Sequence, residues 1–323
     1  MADIDGGNQT SVTEFILLGF RDTPELQPLH FLLFLVIYTA TVAGNILILV
    51  LVVADPHLHT PMYFFLGNLS CLETCYSSAI LPRLLASLLT GDRSISLSAC
   101  RTQYYIFGCL AASECYLLAV MSYDRYLAIC KPLHYMVIMY GKFCLLLAAG
   151  SWASGFLASS IVTGMMLQLN FCGPKEIDHF FCDFSPLLNI SCSDTRLVEL
   201  SASTLSFIFT LPPFLLTVTS YASIIRAILR IPSTTGRQKA FSTCSSHLMV
   251  VTVFYGTITV VYVLPRTDTL RDLNKVFSLL YTVLTPLANP LIYSLRNREV
   301  QEALRIVLSK WWVSVEFKPC KLI

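Results

Sequence analysis

Hydrophobic positions in this chain fall in long runs rather than in alternating patterns. Stretches without Asp, Glu, Lys or Arg occupy residues 26–54, 143–174, 200–225, 240–265 and 276–295. Each is long enough to cross a hydrocarbon core of about 30 Å as a helix, which takes roughly 20 residues. Two more runs qualify with one acid apiece: 56–82, interrupted by Glu73, and 102–123, interrupted by Glu114. The pattern predicts seven membrane-spanning helices. It excludes a transmembrane β-barrel, whose strands alternate apolar and polar positions over about ten residues. Composition agrees, because 55% of the residues are hydrophobic, only 13% are charged and the mean hydropathy is +0.65. An average soluble domain carries about 25% charged residues.

An odd number of spans puts the termini on opposite sides. Arg125, Lys131, Lys142, Arg226, Arg230, Arg237, Lys239, Arg296, Arg298, Arg305, Lys310, Lys318 and Lys321 share one side, 13 of the 22 basic residues. By the positive-inside rule that side is cytoplasmic and the N-terminus is extracellular. Residues 1–10 are polar and acidic with no basic n-region, so the first span is expected to act as an uncleaved signal anchor. The expected organisation is an extracellular segment over 1–25, a seven-helix domain over 26–297 and a cytoplasmic tail over 298–323. Within the tail, residues 298–312 place Val300, Leu304 and Val307 on one face, predicting a short amphipathic helix on the inner leaflet. Connections are short except for 167–198, an outer loop rich in Cys, Pro, Asp and Phe that reads as a stapled lid.

Cys100, Cys172, Cys182 and Cys192 fall outside, where two disulfides can form. Seven further cysteines lie in or beside the spans and read as small packing residues. Of the glycosylation sequons, the one at Asn8 is the expected acceptor; Asn68 lies within a span and Asn189 is crowded by cysteines.

Glu73 and Glu114 stand about halfway along consecutive spans. An ionisable group there costs several kcal/mol and is kept only with a partner. Three readings stay open at this point: protonated acids bonded to neighbours such as Asn45 and Asn289, a bound sodium ion, and a catalytic acid pair.

At the inner end of the third span the chain reads Met121-Ser122-Tyr123-Asp124-Arg125-Tyr126-Leu127-Ala128-Ile129-Cys130. This resembles the MAYDRYVAIC signature of odorant receptors, a branch of the rhodopsin-like G protein-coupled receptors. Gly44-Asn45, Leu58-His59-Thr60-Pro61-Met62-Tyr63-Phe64-Phe65-Leu66 and Lys131-Pro132-Leu133-His134-Tyr135 look like the family's, in its order. So do Ser220-Tyr221, the stretch from Lys239 to Leu248, and Pro290-Leu291-Ile292-Tyr293-Ser294-Leu295-Arg296-Asn297.

The resemblance implies an all-α membrane protein, a seven-transmembrane bundle, carrying no catalytic machinery. It implies a plasma-membrane receptor that binds a small volatile odorant and activates a stimulatory G protein, raising cyclic AMP. Cys100 is expected to bridge Cys182, and Cys172 to bridge Cys192. Glu73 and Glu114 match the acids of the family's proposed sodium site, with sodium as a modulator and no other cofactor. Asp124, Arg125 and Tyr126 match the activation motif, which is quiet when Arg125 pairs with Asp124. Tyr221 and Tyr293 match tyrosines that move toward that arginine, and Lys239 matches a basic residue at the coupling face. With Arg237 and Lys239 there and no acid, an ionic lock from Arg125 to the sixth helix cannot form.

The matching ligand-pocket positions are Phe107, Gly108, Ala111 and Ala112 in the third helix, Leu205, Ser206 and Phe209 in the fifth, Ile258, Thr259 and Tyr262 in the sixth, and Leu279 in the seventh. Phe107 stands where amine receptors carry an aspartate, so the expected ligand is neutral and largely apolar with one oxygen function. His179-Phe180-Phe181-Cys182-Asp183 resembles a proposed metal-responsive motif, but a cysteine in a disulfide offers no thiolate. Cys320 fits a loose prenylation frame with an unfavourable lysine behind it. The near-neutral charge of +2 points to no nucleic acid. The competing readings of Glu73 and Glu114 are an ion channel or transporter, which lacks paired broken helices, and an intramembrane hydrolase, which lacks a nucleophile with a base.

Overall fold

A computed structural model describes residues 13–20, 25–172, 175–262, 275–297 and 299–307, without the side chains of Lys239, Thr243, 259–262 and 294–296. Seven long helices dominate it. They are α1 (Gln27–Ala54), α2 (Pro61–Thr90), α3 (Leu97–Cys130), α5 (Gly141–Met166), α7 (Arg196–Leu229), α8 (Thr234–Tyr262) and α9 (residues 275–296). Two short ones lie between them, α4 (Pro132–Ile138) and α6 (Phe184–Asn189). By length and composition α1, α3, α5, α7 and Lys275–Tyr293 of α9 can each cross a membrane. The remaining two are diluted by polar residues: α2 carries Glu73 and Arg83, and the apolar part of α8 is limited to Cys244–Ile258.

The helices are apolar nearly all round, so burial rather than composition shows where each meets protein. α1 buries only Phe34, Thr41, Asn45, Ile48 and Leu51 and leaves its other leucines and valines exposed. α3 is the opposite case. It packs against α2, α5, α7 and α8 and forms the axis of the bundle. Its start is capped by Ser96, whose hydroxyl accepts from the Ala99 N–H at 3.2 Å. α2 ends at Gly91, where φ of 75° needs a residue without a Cβ. Inside α9, Leu280–Leu284 forms a π turn just before Pro286.

The expected architecture needs correction in three places. The fold is not purely helical, because β1 (Glu14–Leu17) lies between β2 (Ser94–Ser96), antiparallel, and β3 (Glu176–Ile177), parallel. Phe15 and Leu17 of that strand point inward onto Ile95 and Ile177, so part of the N-terminal segment is structured. The connection after α3 contains the helix α4. The tail helix spans 299–307 among the described residues and is seated on the bundle, not on the bilayer alone: Val300 is 1% exposed, and Leu304 and Val307 pack on the same core. Gly108, expected in the pocket, faces α5, where a Cβ would come within 2.7 Å of Ser159 Oγ. Asn8, Arg298 and Cys320 lie outside the described residues.

Two bridges hold one end, Cys100 to Cys182 and Cys172 to Cys192. The first ties the long loop to the head of α3. Gln103, one turn further along α3, reinforces it: its amide oxygen accepts from the Cys182 N–H at 3.0 Å, and its nitrogen donates to the Ala79 carbonyl of α2 at 3.0 Å.

Among the described glycines the tightest surroundings are those of Gly155, where α5 meets α3. A Cβ there would stand 2.1 Å from Ser113 Oγ and 2.5 Å from the Cys109 carbonyl oxygen, which is backbone and cannot turn aside. Gly155→Ala is therefore expected to cost about 1–3 kcal/mol by overpacking. Gly150→Ala, on the same helix with nothing within 4 Å, serves as the control. Thermal unfolding of both purified variants checks this, and equal melting temperatures would refute the close approach.

Candidate functional site

Three polar or aromatic groups occupy the bundle. The first begins with a gap in a helix. Pro290 has no N–H, so the Pro286 carbonyl of α9 loses its helical donor. Asn45 of α1 supplies one, its Nδ2 lying 3.2 Å from that oxygen and 3.1 Å from the Thr41 carbonyl. Gly44 makes the approach possible, since a Cβ there would lie 2.9 Å from the Pro290 Cβ. Beside this junction the buried Glu73 of α2 accepts from Asn289 Nδ2, and Glu114 of α3 is its electrostatic neighbour. One oxygen each of Asn45, Glu73, Glu114 and Asn289 is buried without a hydrogen-bond partner among the described residues. An oxygen-rich set of this kind can take a hard cation or share a proton. No group of three or more His, Cys, Asp or Glu side chains able to hold a metal occurs among the described residues.

The second group lies at the α4 end. Asp124 is buried and accepts from the Tyr135 hydroxyl of α4 at 2.9 Å. No ion pair joins it to Arg125 among the described residues. Tyr221 of α7 shares a 2.5 Å hydrogen bond with His247 Nδ1 of α8, with the rings stacked. Arg125 Nε, His247 Nε2 and the Tyr293 hydroxyl are buried without hydrogen-bond partners among the described residues. Tyr126 stacks on Tyr123 and carries the Lys131 ammonium 6.0 Å from its ring centre. No role was given to His247 from the sequence. The available signal was its place one helix away from Tyr221 at matching depth. The Lys239 side chain lies outside the described residues.

The third group is aromatic and lies beneath the disulfide-bonded loop. Phe107, 4% exposed, is ringed by Tyr76 at 5.2 Å, Phe181 at 5.0 Å and Tyr281 at 5.9 Å. Ala111 and Leu279 pack on the same cluster, whereas Ile258 joins the core toward the α4 end. Leu205 and Phe209 are half-buried, Ala112 likewise, and Ser206 is exposed on α7. Thr259 and Tyr262 belong to α8 with side chains outside the described set. Above the cluster His179 stacks on Phe180 and meets Phe181 edge-on, and Asp178 forms an ion pair with Lys275 at the head of α9. The loop is thus fastened to α3 covalently and to α9 by charge.

The family model for olfactory receptors matches residues 34–310. Human olfactory receptor 11A1 is 50% identical over 308 residues, 95% of this chain and 97% of that protein. Human olfactory receptor 10A7 is 49% identical over 303 residues, 94% and 96% of the two chains. Mouse olfactory receptor 5AP2 is 47% identical over 310 residues, 96% and 98%. The chain belongs to the olfactory receptor family.

It is accordingly a multi-pass membrane protein and a G protein-coupled receptor, not an enzyme. Family membership does not favour the channel or transporter reading of Glu73 and Glu114. The three groups in the receptor share α3, which carries Phe107, Glu114 and Asp124 in succession.

The receptor's loop carries a pH-dependent element. Burial holds the pKa of His179 down at about 3, the Lys275 charge adds to this and Asp178 opposes it. Its Nδ1 accepts from the Phe181 N–H, which also requires the neutral ring. Above about pH 6.5 the imidazole is neutral both folded and unfolded and contributes no pH dependence. Below that pH the unfolded chain gains a proton that the folded one refuses, so stability falls as pH drops, by about 2 kcal/mol at pH 5. Melting temperatures at pH 7.5 and 5.0 should therefore diverge more in the receptor than in His179→Gln. An equal loss in both would remove His179 from the account.

Proposed function

We propose that the receptor crosses the plasma membrane seven times with its N-terminus outside, binds small neutral volatile compounds, and activates a stimulatory G protein that raises cyclic AMP. The observation that carries the ligand class is the surroundings of Phe107: aromatic rings on three sides, with no acid among its described ring contacts. Apolar pockets with few polar groups select neutral ligands. The same reading assigns ligand contact to Gly108, Ala111, Ala112, Leu205, Ser206, Phe209, Ile258, Thr259, Tyr262 and Leu279.

Coupling is assigned to Asp124, Arg125, Tyr126, Tyr221, Lys239 and Tyr293. Support comes from α4, which holds Asp124 through Tyr135 while leaving Leu133 91% exposed at the same end of the bundle. An apolar side chain presented beside a charged switch suits a protein partner. A glycan at Asn8 completes the proposed extracellular face.

Sodium between Glu73 and Glu114 is proposed as the modulator, on the strength of the four unpartnered oxygens there. It should raise the melting temperature of the receptor above a potassium-matched control and have no such effect on Glu73→Gln. Identical responses to the two salts in the unaltered receptor would refute this.

The receptor reading is tested by cyclic AMP in cells expressing the chain with an olfactory-type stimulatory G protein and challenged with a panel of neutral volatiles. A dose-dependent rise is expected, abolished in Arg125→Ala at equal surface expression. Phe107→Ala should raise the half-maximal concentration about tenfold or more, the loss of one buried aromatic contact. A response confined to charged amines, or an unaltered one in Arg125→Ala, would overturn the assignment.

A further inference from the structure

The α4 end of the bundle holds a second polar junction that no activation residue named above explains. Tyr63 is the third residue of α2 and is 4% exposed. Its hydroxyl donates to Glu299 Oε2 at 2.6 Å and accepts from Asn297 Nδ2 at 2.8 Å. Asn297 Oδ1 lies 3.1 Å from the same hydroxyl and accepts from the Glu299 N–H at 3.0 Å and the Val300 N–H at 3.4 Å, capping the helix of residues 299–307. Asn297 is therefore held at both ends of its amide, by Tyr63 on one side and by the helix it caps on the other. Glu299 sits in the first turn, where the helix dipole favours an acid.

Packing alone does not account for this hydroxyl. Phe65, two residues on, is buried without one, and the apolar contacts of Val300 and Ala303 seat the terminal helix but do not set its rotation. Hydrogen bonds have direction and supply what apolar contact lacks. Arg125 acts electrostatically on Tyr63, and Tyr63 on Tyr293, so the junction borders the activation residues.

We infer that Tyr63 is a positioning residue for coupling: its hydroxyl fixes Asn297, Glu299 and the terminal helix in one register beside Arg125 and Tyr293. The face offered to the G protein then depends on a tyrosine at the start of α2. This rests on the receptor reading above for its consequence in coupling, but not for the junction itself.

Hydrogen exchange of the full-length protein in lipid nanodiscs, without ligand or G protein, tests the junction. In Tyr63→Phe and in Glu299→Ala, exchange over residues 299–307 should quicken about tenfold, as expected for a lost hydrogen bond to a charged group. Glu299→Gln, whose amide oxygen still accepts, should stay close to the unaltered protein. The double variant Tyr63→Phe/Glu299→Ala should exchange no faster than Tyr63→Phe alone, because the bond lost with Glu299 is already among those the hydroxyl makes. In cells, the most effective compound of the neutral panel should evoke a maximal cyclic AMP signal per surface receptor about threefold lower in Tyr63→Phe, with its half-maximal concentration unchanged within about twofold. Exchange that stays at the unaltered rate in Tyr63→Phe, or single effects that multiply in the double variant, would overturn the inference. Should Tyr63→Phe fail to fold, the contrast between Glu299→Ala and Glu299→Gln decides, since Glu299 is exposed. Should the panel evoke nothing from the unaltered chain, the receptor reading fails separately and the exchange result still stands.

Discussion

A backbone carbonyl cannot go unpaired inside a bilayer, where no water reaches it. Pro290 creates one such carbonyl at Pro286, and the amide of Asn45 answers it from another helix. That single bond requires α1 to lie against α9, which requires Gly44 to carry no side chain. Once the first and last long helices are joined, Asn289 is turned to meet Glu73 of α2, and Tyr293, one turn further, comes close to Arg125 of α3. The ring of helices is thus closed by polar chemistry in a place where apolar surfaces alone have lipid as an equally good neighbour.

The two ends of the bundle are built from different kinds of bond. At one end a disulfide, a three-stranded sheet, the ion pair of Asp178 with Lys275 and stacked aromatic rings all converge on the long loop. Many independent ties must break together before that end opens. At the other, α3 is joined to α4 by Tyr135 with Asp124, and α7 to α8 by Tyr221 with His247. Each is one hydrogen bond between two side chains, and a neighbouring group such as Arg125 or Tyr293 can replace either partner. Such bonds can be exchanged one for one at little net cost, which is the property a two-state element needs.

Long apolar runs made the helices legible because lipid demands them, and the short motifs around Asp124 and Pro290 carried the family. Shorter or tertiary features were not legible. A strand of four residues such as Glu14–Leu17 has too few positions to show alternation and exists only through partners at 94–96 and 176–177. α4 is seven residues long and lacks an apolar stripe distinct from its surroundings. The face of Gly108 could not be read because a glycine's neighbours are set wholly by other residues, here Ser159. The terminal helix showed its apolar face correctly, but an apolar face does not say whether lipid or protein covers it. Val300 resolves that by burial in the bundle.

The small sheet also bears on how the chain is made. Its central strand leaves the ribosome before either neighbour: Ser94–Ser96 follows only after α1 and α2, and Glu176–Ile177 lies in the long loop. The N-terminal strand must therefore wait for its first neighbour until two long helices have been made and for its second until the long loop, a waiting edge available to other strands. Closure of the sheet becomes a late checkpoint in biogenesis, reached only after the segment through Ile177 has been delivered to the same side. An error in insertion that delivers either neighbour to the wrong side leaves that strand without it.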